Sequence, residues 1–437
     1  MIWGPWVYVH IFEGFPVWKH INRAKCSQNI SQKVTCGLSL SLEEEYVKKY
    51  NKKIKIVIRG GYIMKISKKD ALIWFEFFAM LPEEEEVMPK QQEIIYATFA
   101  QIEAAIDDRN DMLMSEIKNL KTLENRTLFV GNESKFSKGC RSCLLGTGLS
   151  AIRKTNKCNV ECKFCYNYGE LNDMFPIGEG MWEIGGTKFY EKDIDLLLSI
   201  HKKPTGVSYV YLEPFMEIEK YYSVIKKFSD AKVYQHLYTN GTLATEEKLK
   251  ALGEAGLDEI RFNLGASNCS DKVIENIKIA KKYIKNVGIE TPMTPEFFEA
   301  FFKKKQAILE TNLDFINCAE LHLNENNIDN YYGENMYISR HGYISPIWSR
   351  ELTLKFMKIA DEENWDLVIH DCSNHTKFAR DLNLSSKEGK WFGASNYACE
   401  FPTIPYESFL PILRDDNFKF LSEEELPEDY KAGKLIF

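Results

Sequence analysis

The sequence predicts an α/β protein built around a parallel sheet that closes as a partial (β/α)6, TIM-like barrel. The first observation behind this is alternation. Apolar strand-like runs at 148–154, 207–213, 232–238, 258–264, 286–291 and 313–323 are separated by helical patterns near 190–201, 217–229, 245–255, 271–284 and 295–310. Such alternation is the mark of parallel βαβ units, and six of them make most of a barrel. The second observation is placement. Cysteine, glutamate, asparagine and serine fall just after several of these runs, at the ends where parallel barrels carry their chemistry.

The 437 residues exceed one ordinary domain, and four regions are read from them. Residues 1–82 form a mixed α+β unit: the runs 53–58 and 62–66 flank Arg59, Gly60 and Gly61 as a hairpin would, and Ser67 is placed to cap a helix over 71–81. A structural role suits this unit. The acidic run at 83–86 between Pro82 and Pro89 is a boundary. Residues 89–135 follow as a helical docking segment, with Ile95, Phe99, Ile102, Ile106, Leu113, Ile117 and Leu120 at three- and four-residue spacing. The barrel occupies 136–365, and 366–437 form a C-terminal extension.

Composition narrows the class. With 44% hydrophobic and 27% charged residues the chain is globular, and its net charge of -7 argues against a broad nucleic-acid surface. No apolar run is long enough to span a bilayer, and the start lacks the pattern of a secretory signal. A cytoplasmic location is expected. There, 11 cysteines are better read as metal ligands and free thiols than as disulfides.

Cys158, Cys162 and Cys165 stand at C-x3-C-x2-C spacing with Phe164 before the third. Three thiols on one loop can hold three corners of a 4Fe–4S cluster and leave one iron without a protein ligand. A zinc ribbon is the rival: Cys140-x2-Cys143, then Cys162-x2-Cys165, has ribbon spacing, although it leaves Cys158 idle.

The cysteine loop resembles the signature of the radical S-adenosylmethionine (AdoMet) superfamily, which sits after the first barrel strand. The resemblance implies that Cys158, Cys162 and Cys165 ligate the cluster and that AdoMet chelates the open iron. One-electron reduction, by a flavodoxin or ferredoxin, then cleaves AdoMet to a 5′-deoxyadenosyl radical that abstracts a substrate hydrogen. Such a site is oxygen-sensitive. The resemblance extends over about 148–325. Tyr211-Leu212-Glu213-Pro214 stands where the family has Gly-Gly-Glu, keeping the glutamate for the AdoMet ammonium but not the glycines. Thr239-Asn240-Gly241 is similar to the family's turn beside the cofactor. Asn263 and Ser267 fall where members contact ribose and carboxylate, and the strand with Gly288 and Glu290 where they pack along adenine.

Cys140, Cys143, Cys372 and Cys399 flank the barrel and suit a second 4Fe–4S cluster, a structural zinc, or four independent thiols. His322, Glu325 and Cys318, near the end of the sixth strand, are the candidates for catalysis. The expected substrate is a ribosomally made peptide modified after translation, as in RiPP-maturase-like members, because the chain is long on both sides of the barrel. The alternatives are a small metabolite or nucleotide, and a non-catalytic zinc-ribbon binding protein.

Overall fold

The computed structural model describes residues 89–377 except 125, 146, 149–150, 170–176, 185–186, 201–203 and 340–342, together with 68–69, 71–73, 408–422, 424–426 and 430. The hairpin expected at 53–66, most of the helix expected at 71–81, and Cys399 lie outside the described residues.

Two compact units are formed: residues 1–109 with 332–344 and 399–437, and residues 110–331 with 345–398. In the first, helix α1 (Pro89–Ser115) starts at the proline that closes the acidic run and buries Phe99, Ile102 and Ile106 of the expected stripe. Proline suits a helix start because its missing N–H would have no partner there. Phe99 meets Phe409 edge-on at 5.2 Å. Tyr430 donates to Asp107.

The second unit holds the sheet. Its strands are β1 (Lys121–Leu123), β2 (Thr127–Gly131), β3 (Ala151–Arg153), β4 (Met181–Ile184), β5 (Thr187–Tyr190), β6 (Gly206–Tyr209), β7 (Tyr234–Thr239), β8 (Glu259–Phe262), β9 (Asn286–Pro292) and β10 (Phe315–Ala319). The short strand β11 (Met336–Ile338) belongs to the first unit and β12 (Ile344–Pro346) begins at the last residue of that unit's 332–344 segment, while β13 (Val368–Cys372) is again part of the large sheet. The sheet order is β1-β2-β13-β10-β9-β8-β7-β6-β3-β4-β5. From β3 through β13 every neighbouring pair in this order is parallel.

The alternation read from sequence is therefore present, with two corrections. The sheet continues past residue 365, where the barrel was expected to end, because Val368–Cys372 adds a seventh parallel strand beside β10. Antiparallel hairpins also extend both edges: β2 pairs with β13 and β4 with β3.

The helices are α2 (Lys138–Leu144), α3 (Ile194–Ile200), α4 (Tyr222–Asp230), α5 (Glu246–Ala255), α6 (Asp271–Tyr283), α7 (Pro295–Leu309), α8 (Ile347–Glu362) and α9 (Leu410–Arg414). Their ends are written locally. Thr245, Ser270 and Thr294 accept from the backbone N–H three residues on, and Gly256 closes α5 at φ 95. One face of the sheet buries Leu237, Ile260, Val287, Ile289, Ile316 and Ile369 in a single core with Phe228, Leu252, Ile277, Phe301 and Phe356 of the helices. Helix α2 lies against the opposite face, where a side chain at Gly139 would meet His236 and Arg261. The period-2 alternation of strands thus sends apolar residues to the helices and polar ones to the inner face.

Candidate metal centre

The loop carrying Cys158, Cys162 and Cys165 follows β3, at the carboxyl ends of the parallel strands. It turns tightly: Cys165 N–H donates to Cys162 O at 2.8 Å, and Tyr168 N–H to Cys165 O at 3.1 Å. Asn167 N–H points at Cys165 Sγ from 3.4 Å. All three thiols are half-buried. Burial raises each above its ordinary range, and for Cys162, pushed up to about 12, the neighbouring Cys165 and Cys158 add to it.

Three strand ends brace this loop. Glu213 N–H, after β6, donates to Lys157 O at 3.0 Å. The Asn240 amide, after β7, donates to Asn159 Oδ1 at 2.9 Å and faces Cys158 Sγ at 3.9 Å. Asn159 in turn donates to Thr242 Oγ1 at 2.8 Å. Gly241 permits this turn: its φ is 75, and a Cβ there would stand 2.7 Å from Phe262 and Val273 carbons. The third brace is the loop after β10. Asn324 and Asn326 both donate to Tyr166 O, at 3.0 and 2.7 Å, Asn327 to Phe164 O at 3.2 Å and Asn330 to Lys163 O at 2.9 Å. Sequence reasoning passed over these asparagines, because a polar run after a strand has the composition of an ordinary turn.

Glu213 is fully buried. Its Oε1 accepts from Phe215 N–H at 2.9 Å and Thr239 Oγ1 at 2.8 Å, and its Oε2 accepts from Asn240 N–H at 2.6 Å. Burial pushes its carboxyl up to about 7 against these three donors. In this structure Glu213 joins the end of β6 to the Thr-Asn-Gly turn. The two residues before it supply a second finding. Tyr211 and Leu212, standing where the resemblance has glycines, take φ values of 83 and 51. The backbone here is left-handed although neither residue is the one that adopts it freely, at about 1–2 kcal/mol each.

The remaining expected cofactor contacts are spread around the same rim. Asn263 is half-buried and caps the turn after β8, accepting from Ala266 N–H at 3.2 Å, while Ser267 donates to Leu264 O at 3.1 Å. Glu290 is committed elsewhere: it accepts from Arg261 Nη1 at 2.6 Å, inside a buried network in which Arg261 also reaches Glu259, Tyr238 and Ser137. Gly288 leaves room for Phe315, whose ring carbons stand 2.4 Å from where a Cβ would be.

Three half-buried free thiols on one braced loop suit three corners of an iron–sulfur cluster. Among the described residues, no three cysteine, histidine or carboxylate ligand atoms that include these sulfurs lie within 4.8 Å of one another. Zinc–sulfur bonds of about 2.3 Å require sulfurs closer than that, whereas a cubane holds them at separate corners. The ribbon of Cys140, Cys143, Cys162 and Cys165 is not assembled.

Residues 152–302, from β3 through most of α7, match the family model described as the radical SAM superfamily. That segment is a radical SAM domain. Its relatives include a protein of Methanocaldococcus jannaschii named "Putative glycyl-radical enzyme activating enzyme", 28% identical over 262 residues that cover 57% of this chain and 66% of the relative. An uncharacterized protein of the same organism is 25% identical over 177 residues, covering 36% and 55%. The chain thus spans from about half to just under two thirds of these relatives. Among solved structures, Streptococcus suis SuiB bound to S-adenosylmethionine aligns at a TM-score of 0.39 and 13% identity, covering 53% of this chain and 52% of that one.

Around this radical SAM domain the three candidates for catalysis separate. Cys318 faces the helices and is fully buried in the main core, so its thiol is a packing group. Strand β10 ends at Ala319, which leaves His322 and Glu325 in the loop beyond it. His322 is buried with its ring edge-on to Tyr166 at 5.2 Å, beside the cysteine loop, and Glu325 is exposed. Of the cysteines expected to hold a second cluster, Cys140 is buried among Leu144, Phe129, Phe136 and Phe315, Cys143 is exposed, and Cys372 is half-buried at the end of β13. Among the described residues no helix is long and apolar enough to cross a membrane.

Proposed function

We propose that this protein is a radical AdoMet enzyme whose Cys158, Cys162 and Cys165 hold a 4Fe–4S cluster and whose substrate is a polypeptide. When bound and reduced, the cluster and AdoMet supply a 5′-deoxyadenosyl radical, and the chemistry of bond cleavage belongs to them. The residues of the chain bind, orient and shield. The observation that carries this reading is the bracing of three half-buried thiols from the ends of β6, β7 and β10. Asn240, Asn263 and Ser267 present polar groups on the same rim and are proposed to orient AdoMet, with Glu213 fixing the turn on which Asn240 sits. His322, next to Tyr166, is proposed to face the substrate.

A polypeptide is favoured over a metabolite on two grounds. The relative from M. jannaschii carries a name that denotes action on another protein. Residues 1–151 and 303–437 also lie outside the matched segment, a length of chain that a metabolite does not require. The test is 5′-deoxyadenosine formation by anaerobic, reconstituted full-length protein with AdoMet and dithionite. Formation is expected to rise, and a mass change to appear, when a peptide or protein encoded beside this gene is added. Formation that no such polypeptide alters, with stimulation by a metabolite instead, would overturn the substrate assignment.

A further inference from the structure

The four asparagines after β10 do more than close a turn. Asn324 Nδ2 and Asn326 Nδ2 both donate to Tyr166 O, at 3.0 and 2.7 Å, which occupies both lone pairs of one carbonyl. A trans peptide is planar, so its C=O and N–H point in opposite directions. With Tyr166 O held outward by two donors, the N–H of the same peptide, that of Asn167, is turned inward, and it lies 3.4 Å from Cys165 Sγ. The edge of His322 against the Tyr166 ring, at 5.2 Å, packs the same residue from the β10 side.

We propose that Asn324 and Asn326 are positioning residues that tune the reduction potential of the cluster by aiming Asn167 N–H at Cys165 Sγ. The inference rests on the radical SAM reading. An N–H donated to a ligand sulfur stabilises the more electron-rich, reduced cluster, and hydrogen bonds to sulfur are among the levers that set such potentials. The other two asparagines provide an internal control. Asn330 holds Lys163 O, and Asn327 holds Phe164 O, whose peptide N–H (that of Cys165) is spent on Cys162 O at 2.8 Å. These two therefore tie down the loop without aiming an N–H at sulfur.

The test uses the full-length chain with Asn324→Ser/Asn326→Ala. Serine keeps an acceptor for the turn that Asn324 Oδ1 forms with Asn326 N–H and Asn327 N–H, at 3.2 and 3.3 Å, while losing the amide donor. Two readouts apply: amide exchange of segment 163–168 before cluster reconstitution, and an EPR-monitored redox titration afterwards. Exchange in 163–168 is expected to quicken about tenfold with β7 unchanged. At a fixed potential near the midpoint, the ratio of reduced to oxidised cluster is expected to fall about tenfold, which is about 59 mV for one electron. Asn326→Ala alone should shift the ratio less, in the same direction, and Asn330→Ala should quicken exchange while leaving the titration in place. An unshifted titration in the double variant, or an equal shift in Asn330→Ala, overturns the proposal. A wild type that takes up no cluster overturns it together with the radical SAM reading, which separates the two failures.

Discussion

Glu213 combines two demands that oppose each other. Its three donors call for a carboxylate, and its complete burial calls for the neutral acid, so the group sits at about 7 instead of its usual acidic value. A raised carboxyl binds its proton more tightly folded than unfolded. The stability it contributes is therefore fully present below the unfolded value, near 4.3, and is lost as pH rises through about 7. Glu213→Gln should flatten that window. Between pH 5 and 7.5 the wild type is expected to lose about 3 kcal/mol at most from this group, and the variant none, as read by denaturant midpoints. Equal slopes in the two proteins would contradict the assignment. Sequence showed the glutamate after a strand, but its partners Thr239 and Asn240 come from the next strand, and no local pattern gives such a pairing. The left-handed backbone of Tyr211 and Leu212 was hidden for a similar reason: side-chain identity argued against it, and tertiary structure imposed it.

At the scale of elements, the cysteine loop depends on neighbours that are remote in sequence and adjacent across the parallel strand ends. Asn240 reaches it from β7 and the asparagines reach it from β10. The Thr-Asn-Gly turn was legible as a turn because Asn-Gly favours one, and its grip on Asn159 adds what the turn is for. Gly241→Ala tests this link. The added methyl meets Phe262 and Val273 carbons at 2.7 Å on a backbone with φ 75, at a cost of about 1–3 kcal/mol. The expected outcome is a lower thermal midpoint together with faster loss of iron to a chelator, whereas a lower midpoint with unchanged iron retention would sever the turn from the metal centre. Helices α4 to α7 fall close to the helical patterns read at 217–229, 245–255, 271–284 and 295–310, since apolar periodicity is a local signal. The edge hairpins β1–β2 and β4–β5 were missed because strands of three to five residues carry too little alternation to register.

For the whole molecule, the parallel sheet with helices on one face follows from strands whose alternate residues are apolar, and its order follows from successive βαβ units. The seventh strand, Val368–Cys372, escaped prediction because a long stretch with β11, β12 and α8 separates it from β10, breaking the rhythm that marked the other six. Its inclusion places Cys372 at the carboxyl end of the sheet, as Cys158, Cys162 and Cys165 are placed by the loop after β3. Cys140 would have to leave its apolar surroundings to ligate a second cluster, so any such cluster should be the more weakly held. The most direct measurement is iron and acid-labile sulfide per chain after anaerobic reconstitution, for wild type and the Cys158→Ala/Cys162→Ala/Cys165→Ala variant. The account predicts that the variant loses about four irons and four sulfides, with any iron it keeps marking the second cluster. Zinc without sulfide in both proteins would contradict it.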